Sequence, residues 1–319
     1  MKRTLLCMIL ALCCLALSGC TVFGRNVRVG LITEFAYEDA DGYEIGDAAL
    51  AGEVRRVEIQ WMDGSVEIVE GDGASISERT SRELPEDLRM RWRLEDGTLK
   101  IMYCNSGRWS IDGLDKALTV TLPRTALESL NVTAVSADVR VPQLSARSVE
   151  CGTTSGDVSA ALSGVSELRV RTISGAVNVT SMDDAGRVDV DSTSGAVGLK
   201  LGQVDVLDAV TISGGLDVSA GHIRQMDAGT TSGDVLLMLV EGCDACTIRT
   251  ISGDIALMLP EDAGLTLSFG TVSGQMNSEI ALRSRDGVQI AGDGAQQFDI
   301  HTTSGGLTLR TEGEIPEGK

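Results

Sequence analysis

From Ser136 onward one short phrase keeps returning: Thr, a free position, Ser, Gly, a small or acidic residue, then an aliphatic one. The copies carry Ser155-Gly156, Ser174-Gly175, Ser194-Gly195, Ser213-Gly214, Ser232-Gly233 and Ser252-Gly253, and two looser ones, Ser273-Gly274 and Ser304-Gly305, close the series. A degenerate copy, Ser136-Ala137, precedes them, and successive serines lie 19, 19, 20, 19, 19, 20, 21 and 31 residues apart. A fixed period of about 20 is the mark of a solenoid, in which each repeat buries its apolar face only by stacking on the next.

Side-chain parity suggests how one rung is built. Leu168, Val170 and Thr172 alternate with Arg169 and Arg171, so the charged residues fix the outer side. After Gly175 the apolar parity switches to Val177 and Val179. The switch reads as a corner, with the glycine supplying backbone freedom for the turn. The expected fold is all-β: a single-stranded parallel β-helix (β-solenoid) with ~19–20-residue rungs, about 4.8 Å apart, and an N-terminal β cap. Two columns are expected to face inward: Thr153, Thr172, Ser192, Thr211, Thr230, Thr250, Thr271 and Thr302, and the serine of each Ser-Gly. The free position faces outward as Thr154, Ile173, Thr193, Ile212, Thr231, Ile251, Val272 and Thr303. Within it Ile173, Ile212, Ile251 and Val272 form a candidate interaction stripe, against the plainer reading of strand propensity.

Five segments are expected. Residues 1–19 carry Lys2-Arg3, an apolar run too short to span a bilayer, and Leu17-Ser18-Gly19 before Cys20. This resembles a lipoprotein signal with Cys20 as the lipid attachment site, which anchors a protein without crossing the membrane. Residues 20–36 read as a tether and 37–130 as the N-terminal β region. In that region Asp63-Gly64 and Asp96-Gly97 read as tight turns between alternating strands. Trp61, Trp92 and Trp109 mark an aromatic cap that seals the stack, with sugar stacking on the rings as the alternative. Residues 131–311 are the repeats, with a loop or hairpin insertion around 277–297, and 312–319 are a polar tail.

A formal charge of −19 argues against nucleic acid and against direct adhesion to anionic lipid. Only His222 and His301 exist, so no His-based triad or metal site is expected, and no cofactor. Cys243-Asp244-Ala245-Cys246 has redox spacing but sits in strand context; free thiols or a disulfide are the plainer readings. Asp157, Asp234 and Asp254 follow Ser-Gly and read as turn formers, not calcium ligands.

The Ser-Gly-Asp-Val rungs, Trp61-Met62-Asp63-Gly64-Ser65-Val66, and Ile290-Ala291-Gly292-Asp293-Gly294 before the last Thr-Ser-Gly together resemble one family. It is the bacterial "putative adhesin" domain of unknown function, carried by cell-envelope proteins. The resemblance implies a single-stranded β-helix and brings no catalytic residues. Association of some relatives with envelope-stress regulation implies an alternative role as a sensor acting through a membrane partner. The expectation is a non-enzymatic extracytoplasmic protein, anchored through Cys20, that meets an envelope protein or glycan. A polysaccharide-active enzyme is the remaining alternative.

Overall fold

The computed structural model describes residues 21–22, 25–26, 37–107 and 114–311. Cys20, the signal segment, most of the tether, Trp109 and the tail 312–319 lie outside the described residues. Apart from two short 3-10 turns, Ala40–Gly42 and Glu86–Leu88, the described chain is β-strand and its connections.

A rung consists of two strands around one corner. Glu167–Thr172 buries Leu168, Val170 and Thr172; after the corner, Val177–Ser181 buries Val177, Val179 and Ser181. Each strand pairs in parallel, in register, with its counterparts one period away. Glu167–Thr172 lies between residues 148–153 and 187–192, and Val177–Ser181 between 158–162 and 197–201. The inward residues of both strands join one continuous core of Val, Leu, Ile and Ala. Small branched side chains suffice because each rung is buried by its neighbours on both sides.

A second corner joins one rung to the next. Flanking it, residues i and i+3 both point inward: Ala146 and Val149, Val165 and Leu168, Ala185 and Val188, Val204 and Leu207, Ile223 and Met226, Cys243 and Cys246.

At both ends the stack departs from chain order. Strand Arg56–Gly71 is itself a full rung. It lies between Thr98–Met102 with Ala117–Pro123 on one side and residues 129–140 on the other, all parallel. The chain therefore lays down one rung, builds outward, and returns to the first rung's other edge. The C-terminal end repeats the manoeuvre. Gln296–His301 pairs with residues 245–249 and 265–270, and Leu307–Thr311 pairs with 255–259 and 276–278. The last rung in sequence is thus the last but one in space. The long final interval holds the hairpin Arg283–Arg285 and Val288–Ala291, turned by Asp286 and Gly287, whose second arm runs antiparallel to residues 265–267.

Antiparallel strands close the N-terminal end. Arg91–Glu95 pairs with Thr98–Met102 around Asp96 (φ 49°) and Gly97 (φ 74°), the tight turn expected there. Ser75–Arg79 pairs with Ala117–Pro123, and the outermost strands, Glu44–Ile45 and Ala48–Ala49, are two residues each. Such short edges offer little template for pairing with another chain. Asp63-Gly64 is not a hairpin turn: Arg56–Gly71 runs through it, and it is the corner of that rung. Trp61 is fully buried and Trp92 is 8% exposed, so neither ring is open to stack on a sugar.

Candidate functional site

The Thr-x-Ser-Gly corner is a ladder of hydrogen bonds running up the stack. The Thr or Ser of the first column is buried in nearly every rung, as expected. Its hydroxyl accepts the amide of the glycine three residues on: Gly156 to Thr153 at 3.0 Å, Gly175 to Thr172 at 2.9 Å, Gly214 to Thr211 at 3.1 Å, Gly305 to Thr302 at 2.9 Å. Thr211 also donates to the carbonyl of Gly195 in the preceding rung (3.4 Å), and Thr230 to that of Gly214 (3.1 Å). One hydroxyl thereby serves both its own corner and the neighbouring rung, which makes its burial inexpensive.

The expected roles of Ser and Gly are reversed. Every serine of the Ser-Gly copies, Ser155 through Ser304, is exposed, whereas Gly156, Gly175, Gly195, Gly214, Gly233, Gly253 and Gly305 are buried. None of these glycines has a positive φ. Glycine is required by close approach: a Cβ on Gly175 would lie 1.7 Å from the carbonyl oxygen of Gly156, on Gly214 2.0 Å from that of Gly195, and on Gly305 1.9 Å from that of Gly253. The aspartates after Ser-Gly also serve the stack. Asp157 Oδ1 accepts the amide of Ala176 (2.8 Å), Asp234 that of Asp254 (2.9 Å), and Asp254 that of Gly306 (2.8 Å).

The free position points outward on every rung. Read in spatial order the column is Thr154, Ile173, Thr193, Ile212, Thr231, Ile251, Thr303, Val272, because the inserted rung places Thr303 between Ile251 and Val272. Threonine and an aliphatic residue alternate along the whole ridge, an order that the linear sequence breaks at its last two members. The ridge is half-buried over its first five positions; Ile251 is 45% and Val272 83% exposed. The exposed serines run alongside.

A second outward ladder, which the Ser-Gly motif does not announce, is built of ion pairs. Arg171 reaches Glu150 (3.1 Å) and Asp191 (3.5 Å), Arg169 reaches Asp189 (3.3 Å), and Arg187 pairs with Asp189 (3.6 Å) and Asp208. Parallel register gathers these charged residues from successive rungs. Writing the repeats beneath one another from Ser-Gly backwards aligns Glu150, Arg169, Asp189 and Asp208, the signal that would have found them. The arginines are matched by acids, so the face is a network of cross-rung ion pairs and not a basic cleft. His222 and His301 stand on separate rungs beside Asp244 (3.1 Å) and Asp299 (3.0 Å). Among the described residues no group of three or more His, Cys, Asp or Glu could hold a metal ion. No described helix is long and apolar enough to cross a membrane.

One buried polar knot closes the core at the N-terminal end. Lys116 takes the corner place beneath Gly64 in the outermost rung and is fully buried. Its ammonium pairs with Glu78, donates to the carbonyls of Leu88 (2.8 Å) and Tyr103, and lies 4.1 Å from the Tyr103 ring centre. Burial pulls the ammonium below its ordinary range, against the opposing pull of Glu78. Tyr103 donates to Asp63, whose other oxygen accepts the amide of Leu114 (2.9 Å), and Trp61 Nε1 donates to the carbonyl of Lys116 (3.1 Å). Burial first, and then Asp63, push the Tyr103 phenol far above its ordinary value of 10.0.

No curated protein matches the chain. Among solved structures it is similar to a "putative lipid binding protein" from Parabacteroides distasonis (14% identity, 84% of this chain and 96% of that chain covered, TM-score 0.47). It is also similar to a "putative adhesin" from Parabacteroides merdae (11% identity, 84% and 95% covered, TM-score 0.45). A third likeness is to a "putative cell adhesion protein" from Clostridium sporogenes (10% identity, 85% and 100% covered, TM-score 0.27). At these identities and TM-scores the likenesses carry no argument about function. A family model does span the rungs from the first to the last, matching residues 54–310. The chain belongs to the Toastrack DUF4097 family.

Proposed function

We propose that the chain is a lipid-anchored, extracytoplasmic, non-catalytic β-solenoid, wound as a single-stranded parallel helix, that presents its outward Thr/Ile ridge to a partner in the cell envelope. The observation that carries this reading is the division of labour at the corner. The Thr hydroxyls, Gly amides and Asp carboxylates are engaged in holding the corners and rungs together, and the side chains of the free position, turned outward between them, form one regular ridge. The Leu17-Ser18-Gly19-Cys20 segment supports the anchor, and the acidic surface supports a partner that is not nucleic acid.

The test of the ridge is cosedimentation of the protein with isolated envelopes from cells that lack it. Produced without residues 1–20, and so without a lipid, the protein with its native ridge should sediment with them, and the Ile173/Ile212/Ile251→Lys variant of the same protein should stay in solution. A companion variant with threonine at those three positions controls for folding, because threonine already occupies the same column. Equal sedimentation of the native-ridge protein and the lysine variant would remove the ridge as the binding surface. The anchor is tested separately: radioactive palmitate should label wild type and not Cys20→Ala.

A further inference from the structure

We propose that Cys243 and Cys246 are joined by a disulfide in the exported protein, formed before the inserted rung 296–311 closes over them and sealed beneath it afterwards. The inference rests on the extracytoplasmic reading above, since disulfides persist in oxidising compartments.

The corner between rungs supplies the geometry. At the corners from Ala146 to Met226 the side chains at i and i+3 turn inward together, as Ile223 and Met226 do one rung below. Cys243 and Cys246 take that same place, paired in register with Ile223 and Met226. Their spacing is therefore a property of the rung and needs no helix turn. The two side chains turn into the core at the same corner, three residues apart, and they are 0% and 2% exposed. The other cysteines among the described residues, Cys104 and Cys151, lie in the cap and in the rung 148–163, so a bond at the corner is selective.

The topology supplies the timing. Cys246 is paired with Phe298, and the amide of Cys243 donates to Gln296 Oε1 at 3.2 Å. Both partners belong to the last rung in the chain, which lies between 245–259 and the earlier 265–278. Until that rung arrives, the corner is at the open edge of the stack. Afterwards, contact with Cys243 together with burial holds the Cys246 thiol well above its ordinary range, leaving little of the thiolate that exchange requires.

The oxidant is a disulfide, either of a protein or of a small molecule. One cysteine thiolate attacks it, forming a mixed disulfide and releasing one of its sulfurs. The second cysteine thiolate then displaces the other sulfur and closes the Cys243–Cys246 bond. Two S–H bonds are lost and one S–S bond forms; two electrons and two protons leave with the oxidant, which departs as a dithiol if it is a protein disulfide and as two thiols if it is a small-molecule one. Because so short a loop restricts the unfolded chain little, the bond fixes the corner more than it raises global stability.

The test is peptide mass mapping after alkylation in guanidinium without reductant, on full-length protein taken from the envelopes of producing cells. The 243–246 peptide should carry no alkyl group and should gain both after reduction. Two alkylated thiols at these positions would overturn the proposal. A second arm is independent of location. Reduced full chain refolded from guanidinium with oxidised glutathione should close the bond, while reduced chain already folded should resist the same reagent. If refolding also leaves both thiols free, the disulfide fails on its own geometry. If refolding closes the bond but envelope protein lacks it, the proposal for the exported protein is overturned, and with it the oxidising location on which it rests. Rapid oxidation of the already folded chain would contradict the seal. Cys243→Ser should leave Cys246 alkylated in the envelope protein and either alkylated or bearing one glutathione after refolding; a disulfide from Cys246 to another cysteine of the chain in that variant would overturn the pairing.

Discussion

At the scale of single residues, the corner is governed by one missing Cβ and one hydroxyl. Gly214→Ala would drive a methyl to 2.0 Å from the Gly195 carbonyl oxygen, and rungs held on both sides cannot move apart cheaply. The expected loss is about 3 kcal/mol, at the upper end of overpacking penalties, seen as a lower urea midpoint. Ser213→Ala, one residue away but exposed, should stay within about 0.5 kcal/mol of wild type. Thr211→Val keeps the shape but strands the amide of Gly214, and should cost about 1–3 kcal/mol. The motif and its period were legible in the sequence; the division between Ser and Gly was not. Counting by alternation fails by one at the corner, because Ile173 and Ser174 both turn outward between inward Thr172 and buried Gly175. Glycine also has two uses that look alike in a sequence: positive φ at Gly97, and close approach at Gly214.

At the scale of elements, the cap depends on a buried ammonium and phenol, where the rungs bury mainly hydroxyls. The folded state holds Tyr103 neutral far above 10.0, and Tyr37, mainly through burial, up to about 12. In the unfolded chain both ionise near pH 10. Their contribution to stability is therefore complete below about pH 10 and is lost as pH rises beyond it, because the unfolded state releases its protons first. Thermal melts between pH 8 and 11 should show this fall, and Tyr103→Phe should flatten it; an unchanged slope would remove Tyr103 as its source. Lys116→Met leaves Glu78 buried without its cation and should cost about 3–5 kcal/mol, whereas Lys116→Met with Glu78→Leu should recover most of that loss. The strands of this region and the Asp96-Gly97 hairpin could be read from alternation. The corner at Asp63-Gly64 could not, because the same dipeptide serves a hairpin and a rung corner, and only the partner strands distinguish them. Nor could the knot, whose members Asp63, Glu78, Tyr103 and Lys116 are scattered through the cap sequence and meet only in the fold.

At the scale of the whole molecule, the parallel repeat could be predicted from the period, but the order of the rungs at the ends could not. Rungs of one repeat carry the same pattern, so the sequence says that they stack without saying which is next to which. The clue lay in the final interval, which is long enough to hold a hairpin and let the last rung return. The consequence reaches the surface, since insertion of 296–311 is what keeps Thr and Ile or Val alternating to the end of the ridge. Paired cysteines test this order directly. In adjacent rungs the Cα atoms of matched residues lie within disulfide range, about 5 Å apart, whereas two rungs apart they lie near 10 Å, out of range. Oxidation of folded Ile251→Cys/Thr303→Cys should therefore form a crosslink, detectable by peptide mass, and Ile251→Cys/Val272→Cys should not. A crosslink between positions 251 and 272, with none between 251 and 303, would mean that the rungs stack in chain order and would contradict the architecture on which the ridge rests.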